Sequence, residues 1–184
     1  MILNDSEDSN DIEVNGISFE TFLPEQDLNI SSKETKNDIE LDLAGICISN
    51  NSPKPIYFSF YGTVIPEIIA ADGQIVLKSY NCDCSRQAEE SDIILAMPGE
   101  DIMFFPKTVI KELKNNLFQL SFDSENGGIY TFELIKSQLY KLQLNYINKL
   151  NKVKVYSRER KKSQEIKNIW TGLVNTPFIE FQLT

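Results

Sequence analysis

The sequence contains no histidine among its 184 residues. Histidine has the side-chain pKa nearest to neutral pH, and it serves as the base in many serine and cysteine nucleophile systems and as a common ligand of zinc. Its absence therefore excludes Ser-His-Asp and Cys-His catalysis and histidine-ligated zinc. Any catalysis would depend on carboxylates, lysine, cysteine or tyrosine.

Cysteine and long apolar runs are also scarce. Three cysteines are too few, and odd in number, for a disulfide scaffold. Cys82-Asp83-Cys84 lacks the Cys-x-x-Cys spacing of redox pairs, so we interpret both as plain loop residues, interpret Cys47 as a core residue, and expect no metal or other cofactor. No apolar run approaches the roughly 20 residues that span a bilayer, and Met1-Ile2-Leu3 leads directly into acidic residues rather than into a signal peptide. We therefore expect a soluble, reduced, cytoplasmic protein that does not bind membranes.

Basic residues are fewer than acidic ones, 18 against 27, which gives a net charge of −9. This charge opposes attraction to nucleic-acid phosphates and anionic lipids, so we do not expect a nucleic-acid partner. Residues 1–11 consist mainly of Asp, Ser, Asn and Glu. Such a composition cannot bury enough apolar surface to offset the entropy of ordering. The sequence predicts a flexible acidic arm over residues 1–11 and a single domain over residues 12–184.

The sequence does have many short segments with an apolar side chain at every second position. In the clearest one, four apolar residues alternate with Lys141, Gln143 and Asn145; they are Tyr140, Leu142, Leu144 and Tyr146. A period of two places them on one face of a strand. Turn signals such as Asn50–Pro53 and Asp72-Gly73 separate the segments. Together they predict an all-β chain, an antiparallel sandwich of about eight or nine strands.

Four segments need a more specific prediction. Residues 12–22 indicate one edge strand, and residues 39–48 indicate a second strand whose face changes at Ala44-Gly45. Residues 80–91, which include two cysteines, are predicted to be a polar loop. Residues 107–115 have apolar side chains at helical spacing but are too few to decide between helix and strand.

The C-terminal third has an ordered set of motifs. Tyr140 opens the long alternating strand, a loop follows, then Trp170-x-Gly172-x-Val174, and then a terminal alternating strand over residues 178–183. This order resembles the end of immunoglobulin-like β-sandwich domains and, over residues 38–184, is similar to the intracellular proteinase inhibitors of bacteria. The resemblance implies that Tyr140 is a tyrosine corner whose hydroxyl bonds back to the main chain. Ser137-Gln138-Leu139 replaces the usual glycine before that tyrosine, and the resemblance supplies no inhibitory residues.

The segment from Lys149 to Lys167 is strongly basic, with eight Lys or Arg against two Glu and a net charge of +6. On a chain of opposite overall sign, such a segment favours an acidic partner, which we expect to be another protein. The alternative is a solvated hairpin neutralised by the acidic arm of the same chain. The candidate partner-binding residues are Lys154, Arg158, Arg160, Lys161 and Lys162.

These observations favour a non-catalytic protein-binding domain, inhibitor-like in its narrower form. The alternative is a carbohydrate- or small-ligand-binding module in which Tyr57, Tyr61 and Trp170 stack on the ligand, although such aromatic residues are more often part of the core. A hydrolase with two carboxylates is less favoured, because no spacing indicates that two acidic groups converge. The carboxylates considered are Glu67, Asp72, Glu100 and Asp101.

Overall fold

The computed structural model describes residues 11–24, 27–28, 39–83, 86–114 and 116–183. Within these ranges the chain is all-β, as predicted, with one 3₁₀ turn at Glu90–Asp92 and no α-helix. The described ranges contain eighteen strands, about twice the predicted number. They are β1 (Ile12–Val14), β2 (Ile17–Phe22), β3 (Asp27–Leu28), β4 (Ile39–Leu41), β5 (Gly45–Asn50), β6 (Ile56–Ser59), β7 (Val64–Ala70), β8 (Lys78–Cys82), β9 (Ile93–Ala96), β10 (Asp101–Phe104), β11 (Thr108–Glu112), β12 (Leu117–Asp123), β13 (Gly128–Ile135), β14 (Leu139–Asn148), β15 (Lys152–Ser157), β16 (Lys162–Lys167), β17 (Gly172–Val174) and β18 (Ile179–Leu183).

The strands form three larger sheets and two strand pairs. One sheet has the order β1-β2-β5-β10, and another has the order β4-β11-β12-β13-β8. The third is centred on β14, with β7 on one side, β17 and β18 on the other, and β3 beyond β18. The pairs are β6-β9 and β15-β16. In this part of the chain every pairing of these strands is antiparallel except that of β3 with β18.

One large apolar core lies between the sheets. Its largest fully buried side chains come from β2, β5, β6, β7, β12, β13, β14 and β18 and from residue 60; they are Tyr146, Phe19, Phe58, Phe60, Phe118, Phe122, Phe132, Phe181, Ile17, Ile46, Ile48 and Ile68. The predicted inward face of β14 is confirmed, since Leu142 and Leu144 are 0% exposed.

The opposite face of β14 is also covered at its centre. There Glu67 of β7 accepts hydrogen bonds from Gln143 (2.6 Å) and Asn145 (3.4 Å).

A ring of hydrogen bonds closes the gap between β17 and β18. On this side β14 pairs with β18 as far as Leu142 and with β17 from Tyr146 onward, so the backbone of Leu144 between them has no partner in either strand. Thr21 accepts from the N–H of Leu144 (2.9 Å), and Thr176 donates to its carbonyl (3.2 Å). The two hydroxyl oxygens lie 2.5 Å apart. Because Thr176 donates its only hydroxyl proton to the Leu144 carbonyl, Thr21 must be the donor to Thr176. Each donor and acceptor in the ring therefore has a hydrogen-bond partner.

Two segments predicted as single strands are divided in the structure. Residues 12–22 form a hairpin, because Asn15 and Gly16 both adopt positive φ (55° and 77°), as a two-residue turn of this kind requires. Residues 39–48 divide into β4 and β5, which belong to different sheets. At the start of β5 the ring of Phe105 lies against Gly45, where an added Cβ would be only 2.9 Å from it.

The predicted loop over residues 80–91 is also wrong in part, because Lys78–Cys82 is strand β8. Cys82 is disulfide-bonded, contrary to the prediction of reduced loop cysteines, and Cys84 lies outside the described residues. Cys47 is a free, half-buried thiol and does not belong to the large core. Its pKa is raised, first by burial and then by Asp101 and Glu20.

The remaining fold predictions concern residues 107–115, the acidic arm and membrane-spanning helices. The undecided segment 107–115 contains a strand, β11. Residues 1–10 of the predicted acidic arm lie outside the described part of the chain. Within the described ranges no helix is long and apolar enough to cross a bilayer.

Candidate functional site

The basic segment forms the two-stranded hairpin β15-β16, with Ser157 paired to Lys162 beside the turn. Strand alternation divides β15 into two faces. The face toward the protein carries Val153, Val155 and Ser157, and the outward face carries Lys152, Lys154 and Tyr156. We call residues 158–162 the hairpin tip. All five are exposed.

The base of the hairpin is attached to the body of the protein by a small second core. Val155 is completely buried and packs with Ala88, Ile93 and Ile169. The N–H of Tyr156 also donates to the carbonyl of Ala88 at 2.9 Å. These contacts fix the position of the hairpin against residues 86–93.

The segment that receives the hairpin is itself held in place by Arg86. Its guanidinium donates to the carboxylate of Asp92 at 2.8 Å, and Asp92 is 5% exposed. The hydrogen bond to Asp92 is the main cause of the raised pKa of Arg86. Arg86 also donates to the carbonyl of Glu125, and Tyr61 donates to the carbonyl of Arg86. The hairpin therefore packs against a segment whose position is fixed by an ion pair and hydrogen bonds.

Part of the basic charge is neutralised within the chain. Arg158 pairs with Glu89 at 2.6 Å, and Gln164 donates to Glu90. On the outward face, Lys152 and Lys167 each lie 3.4 Å from Glu165, and hydrogen bonding from Lys152 is the first cause of the lowered Glu165 pKa. The described acidic partners thus come from the 86–92 segment and from β16. The predicted neutralisation by the acidic arm falls outside the described residues.

The remaining basic side chains are concentrated toward the tip. In the described ranges, four candidate residues form no ion pair; they are Lys154, Arg160, Lys161 and Lys162. Arg160 donates a single 3.3 Å hydrogen bond to Gln164. The structure therefore separates Arg158, which is bound to the body, from the other four predicted residues.

The outer edge of β16 adds backbone groups to this charged surface. The N–H of Tyr156 points toward Ala88 and away from β16, so Tyr156 and Ser163 form a non-hydrogen-bonded pair. Hydrogen bonding alternates along an antiparallel ladder, so the backbone groups of Ser163 and Glu165 point to the outer edge. No strand among those described pairs with this edge.

The aromatic residues of the carbohydrate-binding alternative take part in internal packing. The ring of Trp170 lies 5.0 Å from Phe19 and 5.6 Å from Tyr146, measured between centroids. Tyr57 and Tyr61 pack against the small core beneath the hairpin. The cleft beside Tyr156 and Arg158 has a volume of about 170 Å³, which is below the roughly 300 Å³ at which ligand pockets usually begin.

The carboxylates considered for catalysis make separate local contacts. Asp72 accepts from the N–H of Gln74, and Glu100 accepts from the N–H of Met97. Within the described residues no three Cys, Asp or Glu side chains are grouped so as to hold a metal ion.

Comparisons with known proteins do not place the chain in a family. No family model matches the sequence, and no curated protein or solved structure matches it. The resemblance to immunoglobulin-like domains and bacterial proteinase inhibitors therefore stays a prediction. Function has to be argued from the hairpin and its surroundings.

Proposed function

We propose that this chain is a non-catalytic protein-binding domain that uses the hairpin tip and Lys154 to bind an acidic surface of another protein. The observation that carries the proposal is that Arg160, Lys161 and Lys162 are exposed and have no carboxylate partner among the described residues, on a hairpin whose base is buried. Cations in such a position keep their charge available to a partner. The buried base pre-organises them, which lowers the entropic cost of binding.

The charge distribution supports a protein partner over nucleic acid. Residues 158–162 contain four basic residues and one acidic residue, a net charge of +3. Subtracting this from the −9 of the whole chain leaves −12 on all other residues. A long polyanion such as a nucleic acid would contact the rest of the protein as well as the tip, and the −12 charge there would repel it. A protein with a local acidic patch can contact the tip alone.

We infer an immunoglobulin-like sandwich for the fold of this domain. Support comes from Tyr140, whose hydroxyl accepts a 2.7 Å hydrogen bond from the N–H of Ile135 and so bonds back to the main chain. The same side chain is 3% exposed and packs beside Phe181. A cytoplasmic location is part of the proposal and rests on the sequence alone.

Reversal of charge at the tip tests the proposed function. Arg160→Glu with Lys162→Glu changes the net charge by −4 and leaves the Arg158–Glu89 pair intact. Lys114→Glu with Lys136→Glu is the matched control, because the Lys136 N–H bonds to Asn116 and so places both lysines near turns away from the hairpin. Each immobilised protein is incubated with extract of its native cell, and the retained proteins are quantified at increasing salt.

We expect wild type and the control to retain the same acidic proteins and to release them as salt rises, because ionic contacts are screened. The tip variant should not retain them, although its free energy of unfolding should stay within about 0.5 kcal/mol of wild type. Equal retention by the tip variant would overturn the proposal. The narrower, inhibitor-like form has its own test: unchanged turnover by every member of a broad serine-protease panel would dismiss it.

A further inference from the structure

A cleft larger than the one beside Tyr156 lies on the five-stranded sheet β4-β11-β12-β13-β8 and has a volume of about 460 Å³. This volume falls within the roughly 300–1,000 Å³ of ligand pockets. Leu120, Phe132 and Leu134 are buried in the core, so the residues that alternate with them on β12 and β13 point to the opposite, outer face. The cleft is on that outer face, and every residue that lines it belongs to the described ranges.

Three neighbouring strands bring four polar side chains together as the floor of the cleft. Gln119 of β12 lies opposite Glu133 of β13, and Thr131 of β13 lies opposite Ser79 of β8. Directly opposite residues have Cβ atoms about 4.5–5.5 Å apart, and residues two positions apart on one strand share a face. The floor therefore places a carboxylate, an amide and two hydroxyl groups side by side.

Residues 76–78 form the wall of the cleft and supply its apolar surface. The N–H of Val76 donates to the carbonyl of Ile68 at 2.9 Å, which holds the start of the wall against β7. Leu77 follows, and it is 88% exposed. The cleft thus has an apolar wall, attached to β7, beside a polar floor.

The ammonium group of Lys78 is directed away from this floor. Lys78 lies opposite Phe132, whose side chain faces the core, so the Lys78 side chain leaves β8 on the face opposite to that of Glu133. Its Nζ atom donates to the carbonyl of Pro66 at 3.1 Å and lies 5.6 Å from the centroid of the Tyr130 ring. Lys78 therefore contributes its alkyl stem, rather than its charge, to the cleft.

Glu133 gives the floor its only charge. Its side chain is exposed, and in the described ranges it forms no ion pair. Lys111 shares the outer face, but it lies on β11, beyond Gln119, and does not line the cleft. The cleft therefore offers a negative charge to a ligand.

We propose that this cleft binds a primary alkylammonium ion, a small organic cation with an apolar chain. An ammonium group has three N–H donors. The floor supplies acceptors in the Glu133 carboxylate, the Gln119 amide oxygen and the Thr131 hydroxyl, and the alkyl chain lies along Val76 and Leu77. This site is separate from the hairpin tip and does not depend on the protein partner proposed for the tip.

The charge and the lining of the cleft favour this ligand over other classes of small ligand. An anion is repelled by Glu133 and by the net charge of −9. A metal ion such as calcium needs several oxygen ligands, and no three Cys, Asp or Glu side chains are grouped for this within the described residues. A neutral sugar leaves the charge of Glu133 unpaired, and the residues that line the cleft include no aromatic ring on which it could stack.

Titration of the full chain with n-butylamine at neutral pH, followed by its amide NMR resonances at constant ionic strength, tests the proposal. The amine is protonated at this pH, as lysine is, and n-butanol is the neutral ligand of matched shape. The test variant is Glu133→Gln, which keeps the side-chain shape. The control is Glu112→Gln, which changes the net charge equally on the same sheet but at a residue that does not line the cleft. Both residues are exposed, so both variants should fold as wild type does.

We expect butylammonium to shift the amide resonances of residues 77–79 and 131–133 in wild type and in the control. The dissociation constant should be in the millimolar range, because an exposed ion pair contributes little. Glu133→Gln should raise it by about fivefold, and n-butanol should bind wild type no better than butylammonium binds this variant. Leu77→Ser should weaken binding of butylammonium but not of methylammonium, since only the longer ion reaches the apolar wall.

The outcomes that would overturn the proposal are distinct from those that bear on the hairpin tip. Unshifted cleft amides in wild type, equal binding of n-butanol, or an unchanged dissociation constant in Glu133→Gln would each overturn it. Equal losses in Glu133→Gln and Glu112→Gln would do the same, because net charge alone would then explain the effect. Arg160→Glu with Lys162→Glu should still show the shifts at residues 77–79 and 131–133, so this proposal and the proposed function can fail separately.

Discussion

Replacing Thr176 by valine should destabilise the protein strongly, although the change removes only one hydroxyl group. Thr176 is 2% exposed and Thr21 is 0% exposed, so neither can exchange its partner for water. The valine keeps the side-chain shape. It removes both the donor to the Leu144 carbonyl and the acceptor for the Thr21 hydroxyl.

The expected magnitude follows from these two losses. A buried polar group left without a partner costs about 1–3 kcal/mol. The Leu144 carbonyl loses its donor and the Thr21 hydroxyl proton loses its acceptor, although the Thr21 oxygen still accepts from the Leu144 N–H. We therefore expect a loss of about 3 kcal/mol in the free energy of unfolding, since neighbouring losses are not fully additive. With a urea m-value of about 2 kcal/mol/M for a chain of this size, the midpoint should fall by about 1.5 M.

Urea unfolding followed by circular dichroism measures this shift. Thr176→Ser is the control, because it keeps the hydroxyl and should recover most of the stability. Thr21→Val with Thr176→Val should cost less than the sum of the single changes, because both act on one ring. A fall in midpoint below about 0.3 M for Thr176→Val, or equal effects of valine and serine, would refute the hydrogen-bond ring.

Two further predictions concern the packing of Trp170 and the chemistry of Cys47. An added Cβ at Gly172 would lie 2.3 Å from the Trp170 ring, so Gly172→Ala should cost about 1–3 kcal/mol and shift the emission of the only tryptophan to longer wavelength; unchanged emission would contradict the contact. The raised pKa of Cys47 predicts slow alkylation at neutral pH, and Glu20→Gln or Asp101→Asn should accelerate it by removing a nearby negative charge. Rates measured against pH should show the apparent pKa falling in both variants, and an unchanged profile would contradict the assigned cause.

The strand positions could be predicted where a segment has one clear inward face. In β14, β12 and β18 every second side chain is large and apolar, and these strands are where expected. Their prediction needs only the period of two. At the boundary between β4 and β5 the sequence predicted only a change of face at Ala44-Gly45 within one strand. It could not show that the two halves join different sheets, because that depends on the long-range pairing of β4 with β11 and of β5 with β2.

In the candidate site, too, local sequence predicted some features and missed those that depend on long-range contacts. Composition identified the basic segment, and five candidate residues were selected from it. Composition could not distinguish Arg158 from Arg160, because the partner of Arg158 is Glu89, which is 69 residues away in sequence. Likewise no local pattern predicts that Val155 packs on Ala88. The contacts that decide which cations stay available are therefore long-range.

The way in which the hairpin is attached determines how its charge can be tested. The Arg158–Glu89 pair involves an arginine that is 78% exposed, and exposed pairs contribute only about 0–1 kcal/mol. Burial of a valine such as Val155 contributes about 1.5–3 kcal/mol, and the position of the hairpin therefore depends mainly on apolar packing. Salt or charge reversal at the tip should then alter partner binding without displacing the hairpin. Loss of binding in the tip variant can for this reason be attributed to charge.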